Sequence, residues 1–371
     1  MSKTFFVSGG GTGGHIYPAV AAALELVKHG HKVYFIGNPN NMEHEIVGKC
    51  DGITFLPVSV KGMPRKAGFG FLKWLWGLEC SLWKVLGYML KYKPDAVFTT
   101  GGYVSAPAAY IAGLMKKPLM IHDCDAVPGL VSRTAAPFAD CVSVAFEESK
   151  SLLNAKKVIC TGNPVRTEFL TVSKSEARAK TGLRDKFTVM VTGGSQGAKT
   201  LNRAAIEAAQ AIVERMDVQL VVQTGKKNYD AFIAEISEYF PNYYMNTNLV
   251  IKPYFDEMFY ALKSADIVVS RAGSLSLSEL NLCKAACLLV PYPYAAADHQ
   301  TKNAKRAVSK GFAVMYEDKE FTGDVLTRAI EYYSQNRAEV EKMSEASFKN
   351  AKPDAKREIV ETLETLQNDE L

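Results

Sequence analysis

CxxC cysteine pairs, a strong net charge and long uncharged apolar runs are all missing from this 371-residue sequence, and each absence argues against a class of protein. The seven cysteines, Cys50, Cys80, Cys124, Cys141, Cys160, Cys283 and Cys287, include no CxxC pair and have no histidine cluster beside them. An odd, dispersed set reads as reduced thiols in a cytosolic protein and argues against zinc. The opening MSKTFFVSGG lacks a charged region followed by an apolar core and a cleavage site, so no secretory signal is read. A net charge of +5 and a pI near 8.6 are too mild for a nucleic-acid partner, yet they suit anionic lipid or phosphate. The most apolar stretch, Phe69 to Leu90, holds all three tryptophans, but Lys73, Glu79 and Lys84 interrupt it. Each would cost roughly 2.5–3.5 kcal/mol near a bilayer centre, so the segment is not expected to span. Two readings stay open: a core helix, or an apolar surface resting on a membrane. The second is supported by Lys61, Arg65 and Lys66 before the stretch and by Lys91 and Lys93 after it.

What is present points to a folded α/β chain. Hydrophobic content of 47% and charged content of 22% are globular values, and the length exceeds what one core serves, so two domains are expected. The organising stretch is Phe5 to Val27, FFVSGGGTGGHIYPAVAAALELV. An apolar run ends in glycines, which lead into apolar residues at helical spacing: strand, phosphate loop, helix. Glycines there permit close backbone approach, and free N–H groups at the helix start favour an anion. Gly9, Gly11 and Gly14 also satisfy the dinucleotide pattern GxGxxG, but no acid ends the second strand, Lys32 to Ile36, to hold a ribose. A nicotinamide cofactor is therefore not expected, nor any other cofactor or metal.

Strand-like segments recur at Ala96–Thr99, Leu119–His122 and Cys141–Val144, with a helix opening near Ser105. Such alternation means βαβ units on a parallel sheet. A second start at Thr188, VMVTGGSQGAKTLNRAAIEAA, repeats the order strand, glycine loop, helix, and further strands read at Gln219–Gln223, Leu249–Ile251, Ile267–Ser270 and Ala286–Val290. The chain thus reads as two Rossmann-like domains, residues 1–163 and 164–349, joined at the Asn-Pro turn of Gly162 to Arg166, with the default active site in the cleft between them. The segment 350–371, with Ile359, Val360, Leu363 and Leu366 at helical spacing, is expected to pack back on the first domain. GGSQGAKT misses the Walker A pattern because Ala198 precedes Lys199 where glycine is needed, which weakens an ATPase reading.

Six motifs in order carry a family resemblance: GGGTGGH (Gly9–His15), GGYVSAP (Gly101–Pro107), TGNPVR (Thr161–Arg166), GGSQGA (Gly193–Ala198), SRAGSLSLSE (Ser270–Glu279) and DHQTKNA (Asp298–Ala304). Together they closely resemble the bacterial MurG family, which adds N-acetylglucosamine to undecaprenyl-diphospho-N-acetylmuramoyl-pentapeptide. The resemblance implies an inverting hexosyltransferase of GT-B fold, with an acceptor- and membrane-binding N-terminal domain and a UDP-sugar-binding C-terminal domain. It also implies a peripheral location on the cytoplasmic face of the bacterial plasma membrane. A UDP-N-acetylglucosamine epimerase or another GT-B UDP-sugar enzyme is the alternative, the epimerase being disfavoured because it would have no use for GGYVSAP and a lipid-facing Trp segment.

By that resemblance, donor contacts are expected at Thr12, Gly13, Gly14, Asp125, Arg166, Ser195, Gln196, Phe255, Ser274, Leu275, Ser276, Glu279 and Gln300. Acceptor contacts are expected at Gly11, His15, Gly102, Tyr103 and Ser105, and membrane contacts at Phe69, Trp74, Trp76, Lys61, Arg65 and Lys66. Ser195 and the amides of Gly194 to Gly197 are read as a helix-opening anion site for the donor diphosphate. Arg166 suits the same diphosphate as it leaves, because guanidinium matches phosphate with parallel hydrogen bonds. Glu279 can accept from ribose hydroxyls, and Gln300 can both donate to and accept from sugar hydroxyls. His15 is the candidate base, since imidazole accepts protons near neutral pH. Asp125 competes with it, standing where the family's HEQN or HESN loop has asparagine.

Overall fold

A computed structural model of the chain describes residues 2–64, 69–295 and 298–366, the side chain of residue 69 excepted. It divides into two units, Met1–Val165 with Pro353–Leu371, and Arg166–Lys352. Each is a parallel sheet clad in helices, and each is described by itself.

The first sheet has seven strands: β1 (Thr4–Ser8), β2 (Lys32–Gly37), β3 (Ile53–Pro57), β4 (Ala96–Thr99), β5 (Leu119–Asp123), β6 (Cys141–Val144) and β7 (Val158–Cys160). Their order is β3-β2-β1-β4-β5-β6-β7, all neighbours parallel. The strands read as continuous apolar runs because helices cover both faces, and Phe5, Phe6, Val97, Phe98 and Met120 are fully buried. Because β1 lies between β2 and β4, the chain reverses its direction of travel there. The loops after β1 and β4 therefore stand side by side at the carboxyl edge, where ligands bind on open α/β sheets. Helix α1 (Gly13–Lys28) follows β1, the short α2 (Met42–Val47) follows β2, and α4 (Gly102–Leu114) follows β4. The expected helix near Ser105 thus opens three residues earlier, at Gly102.

Between β3 and β4 runs α3 (Phe69–Tyr92), the tryptophan-bearing stretch. Its inner face, with Ser81, Val85 and Met89, is buried. Its outer face presents Leu72, Trp76, Trp83 and Leu90, which are 62%, 69%, 66% and 60% exposed and follow helical spacing. No helix among the described residues is long and apolar enough to cross a membrane.

The C-terminal helix Ala355–Thr365 packs on α1, burying Ile359, Val360 and Leu363 completely in one core with Ile16, Val20 and Ala23. Each such side chain contributes about 1.5–3 kcal/mol of apolar burial. Polar contacts pin both ends. Lys356 Nζ lies 2.7 Å from Glu25, while Glu364 Oε1 accepts from His29 Nδ1 (2.7 Å) and His31 Nε2 (2.8 Å). His31 Nδ1 accepts the Lys3 N–H (3.1 Å), so its proton sits on Nε2 and faces the carboxylate. That tautomer makes the trio a helix clamp rather than a set of open metal ligands.

The second sheet has six strands: β8 (Thr188–Thr192), β9 (Gln219–Gln223), β10 (Leu249–Lys252), β11 (Ile267–Ser270), β12 (Ala286–Leu289) and β13 (Ala313–Met315). The order β10-β9-β8-β11-β12-β13 is again parallel throughout and places the switch between β8 and β11. The glycine loop Gly193–Ala198 after β8 thus stands beside the loop that leads from β11 into the helix Ser274–Leu282.

Candidate active site

In the first unit the two switch-point loops lock onto each other. His15, in the first turn of α1, places Nδ1 2.8 Å from the Thr100 carbonyl, and Thr100 Oγ1 donates back to the His15 carbonyl (2.6 Å). A carbonyl only accepts, so Nδ1 carries the proton and Nε2 keeps its lone pair, with no partner for Nε2 among the described residues. Gly102 is the position that permits this approach. Its φ is +74°, and a Cβ there would lie 2.7 Å from the Gly10 carbonyl and 3.0 Å from the His15 ring. The Tyr103 ring lies over Gly11, where a Cβ would come within 2.8 Å of it. Ser105 donates to the Gly101 carbonyl (2.7 Å), which commits its hydroxyl to the start of α4. Thr12 caps α1 without a side-chain hydrogen bond, and Gly13 and Gly14 form the first turn.

The end of β5 organises the neighbouring loop. Buried Asp123 accepts the N–H groups of Asp125 (3.1 Å) and Gly129 (3.0 Å), closing the turn that carries Asp125. Burial raises the Asp123 pKa, and the Asp125 charge adds to that rise. His122, fully buried, is pushed down to about 4 by desolvation and stays neutral. Its Nε2 donates to Asn163 Oδ1 (2.9 Å) and its Nδ1 accepts from Ser143 (2.6 Å), so β5 holds the turn that leads to Arg166.

In the second unit the loop Gly193–Ala198 is a closed turn in its own right. Gly197 donates to the Gly194 carbonyl (3.0 Å), and the helix begins only at Lys199. Ser195 and Gln196 thus sit at a loop tip rather than opening a helix, as the sequence had suggested. The reason is Gly197, whose φ is +73° and whose hypothetical Cβ would lie 2.0 Å from the Thr224 carbonyl. Asn228 Nδ2 donates to the Gln196 carbonyl (2.9 Å) and fastens the tip to the loop after β9.

Glu279 projects from the helix Ser274–Leu282, whose first residues Ser274 and Leu275 are buried and whose Ser276 is half-buried. Desolvation raises its pKa to about 7, and the Arg166 charge holds it below a still higher value. Its carboxylate accepts no hydrogen bond among the described residues. Arg166 stacks between aromatic rings, its guanidinium 5.3 Å from the centroids of both Phe169 and Phe259. Gln300 Oε1 accepts the Tyr292 N–H (3.0 Å), fixing its amide against the loop after β12. The Phe255 N–H is donated to Gln223 Oε1 (2.9 Å).

Of the expected membrane residues, Trp76 is exposed, but Trp74 is half-buried and its indole N–H donates to the Lys61 carbonyl (2.8 Å). Arg65, Lys66 and the side chain of Phe69 lie outside the described residues. Leu72, Trp83 and Leu90 join the exposed face, which their spacing from Trp76 already signalled. Sequence reasoning also missed Glu43, fully buried on α2 with no hydrogen-bond partner for either carboxylate oxygen among the described residues; a Cβ on Gly10 would lie 2.6 Å from its Oε1.

Two parallel Rossmann-like units, each with a glycine loop at its switch point, are the parts of a GT-B fold, and the family models that match both of them are those of a glycosyltransferase. The Glycosyltransferase family 28 N-terminal domain matches residues 5–144, and the family's C-terminal domain matches residues 188–359. The chain is 36% identical over 364 residues to a Desulforamulus reducens protein named UDP-N-acetylglucosamine–N-acetylmuramyl-(pentapeptide) pyrophosphoryl-undecaprenol N-acetylglucosamine transferase, covering 97% of this chain and 98% of that one. It is 34% identical to the Bacillus subtilis protein of the same name, covering 97% and 99%. The crystal structure of Acinetobacter baumannii MurG matches with a TM-score of 0.74 at 26% identity, over 98% of this chain and 99% of that one. This chain belongs to the MurG family.

Proposed function

We propose that the protein transfers N-acetylglucosamine from UDP-N-acetylglucosamine to the muramoyl 4-hydroxyl of undecaprenyl-diphospho-N-acetylmuramoyl-pentapeptide, with inversion. This is the lipid I to lipid II step of peptidoglycan synthesis. The observation that carries the reading is full-length kinship with transferases of that name. Incubation with radiolabelled UDP-N-acetylglucosamine and a short-chain lipid-linked acceptor should move label into the organic phase. Label confined to water would overturn the reading.

In this reading the second unit takes the donor. Ser195 and the amides around it receive the diphosphate, Glu279 the ribose, Phe255 the base and Gln300 the sugar, while Arg166 meets the charge that grows as UDP leaves. The first unit takes the acceptor at Gly11, Gly102 and Tyr103. His15 receives the hydroxyl proton on Nε2, supported by the Thr100 carbonyl that fixes its tautomer. Attack on the anomeric carbon from the face opposite UDP gives inversion. The exposed face of α3 rests on the anionic cytoplasmic surface of the membrane, with Lys61, Lys73 and Lys84 for electrostatic attraction and the tryptophans for apolar contact.

A further inference from the structure

Glu43 is an acid placed where the fold itself has no use for one. Its helix α2 follows β2 at the carboxyl edge of the first sheet, and the residue is fully buried, with no hydrogen-bond partner for either carboxyl oxygen among the described residues. Two glycines make room for it. A Cβ on Gly37, the last residue of β2, would lie 3.0 Å from Glu43 Cγ, and one on Gly10 would lie 2.6 Å from Oε1. The side chain therefore crosses the end of β2 and sets its oxygen against the Gly10 backbone, from below the glycine loop Gly9–Gly14.

The loop carries the matching donors. The N–H groups of Gly10 and Gly11 donate no hydrogen bond among the described residues, and Gly10 is itself buried. A buried acceptor and a buried donor in one small space are the two halves of a hydrogen bond that this structure does not make. The peptide that carries the Gly10 N–H is flanked by Gly9 and Gly10, and glycine on both sides leaves it free to rotate. An apolar side chain of the same length would fill the space without desolvating a carboxyl, so stability does not call for glutamate there. Conflicts of this kind belong to functional sites. We propose that Glu43 is a positioning residue of the acceptor loop. As the acceptor binds, its phosphates take the outward N–H groups from Gly11 onward, and the Glu43 carboxyl receives the Gly10 N–H from beneath. The loop is then held from both sides, and Glu43 itself touches no substrate. This rests on the acceptor-site reading above.

The full chain carrying Glu43→Met tests it, with transfer to a short-chain lipid-linked acceptor, calorimetry of UDP-N-acetylglucosamine and thermal unfolding measured side by side. The thermal midpoint should rise, the acceptor KM should rise about tenfold, the size of one lost hydrogen bond, and the donor Kd should stay at the wild-type value. The acceptor should also raise the midpoint less in the variant than in wild type, because stabilisation by a ligand follows its affinity. Glu43→Gln keeps an oxygen that can accept the Gly10 N–H, so its acceptor KM should lie within about twofold of wild type. A carboxyl with a merely structural role would give no such split. An unchanged acceptor KM in Glu43→Met, an equal loss in Glu43→Gln, or a donor Kd that weakens in step with the acceptor KM overturns the proposal. So does a Glu43→Met protein that melts lower or fails to fold, since the carboxyl would then already have its partner within the fold. No transfer by wild type refutes instead the acceptor-site reading.

Discussion

Donor binding should depend on pH through one carboxylate. Glu279 titrates near pH 7 because its site is desolvated, with the Arg166 charge opposing the rise. Ribose hydroxyls donate to a carboxylate, so ligand binding favours the ionised form. Affinity is then full above pH 7 and is lost as pH falls through that value. From pH 8 to pH 6 the ionised fraction drops from about nine-tenths to about one-tenth, so the Kd for UDP-N-acetylglucosamine should rise roughly tenfold. That ligand is the right probe because its diphosphate has no ionisation in this interval. Removing the Arg166 charge by Arg166→Ala should move the break to higher pH. Stability runs the other way: the raised pKa favours the protonated fold, so this group's contribution is present at low pH and lost as pH rises through 7. Weaker binding at pH 6 therefore cannot reflect unfolding through Glu279. Calorimetry in buffers of differing ionisation enthalpy should register proton release near neutral pH. A flat wild-type profile, or the same slope in Glu279→Gln, would refute the reasoning.

On the acceptor side, His15→Ala should lower kcat roughly 10²- to 10⁴-fold with donor affinity intact, and Asp125→Asn should be tolerated; the opposite pattern would make Asp125 the base. On α3, Trp76→Ser with Trp83→Ser should cut co-sedimentation with anionic vesicles about tenfold, and added salt should weaken it further, whereas Trp74→Ser should chiefly lower the thermal midpoint because that ring is half-buried. Vesicle binding indifferent to both tryptophans and salt would leave α3 an ordinary surface helix. Glu43→Met should stabilise the first unit by about 1–3 kcal/mol, since it replaces an unpaired buried carboxyl with an apolar side chain of similar length; a lower unfolding midpoint would mean that Glu43 has a partner in solution.

The long elements were legible because their signals are periodic. The apolar run before Gly9, the helix after Gly14 and the repeat of that order at Thr188 all fall where the sequence puts them. Three edge strands were not. Ile53–Pro57, Val158–Cys160 and Ala313–Met315 end the two sheets and are only partly buried, so they lack the wholly apolar run that marked equally short central strands such as Ala96–Thr99 and Ile267–Ser270. The loop Gly193–Ala198 misled for a different reason. Small residues before an amphipathic run look like a helix start, but the left-handed backbone at Gly197 postpones it to Lys199.

Residue types in the site were legible, while their hydrogen-bond partners were not. Gln223 meets Phe255 across 32 residues, His122 meets Asn163 across 41 and His15 meets Thr100 across 85. A glutamine at the end of a strand carries no mark that its amide will be used three times over. The contrast between saturated and unsaturated groups nevertheless separates support from chemistry. Buried polar groups in folded proteins are paired. His122, Asp123 and Gln223 obey that rule fully and hold loops in place. The Nε2 of His15 and the carboxylate of Glu279, both on half-buried residues, have no hydrogen-bond partner among the described residues and stand at the carboxyl edges of parallel sheets, where a substrate would complete their hydrogen bonds. Glu43, fully buried beneath Gly10 of that same edge loop, also has no hydrogen-bond partner among the described residues.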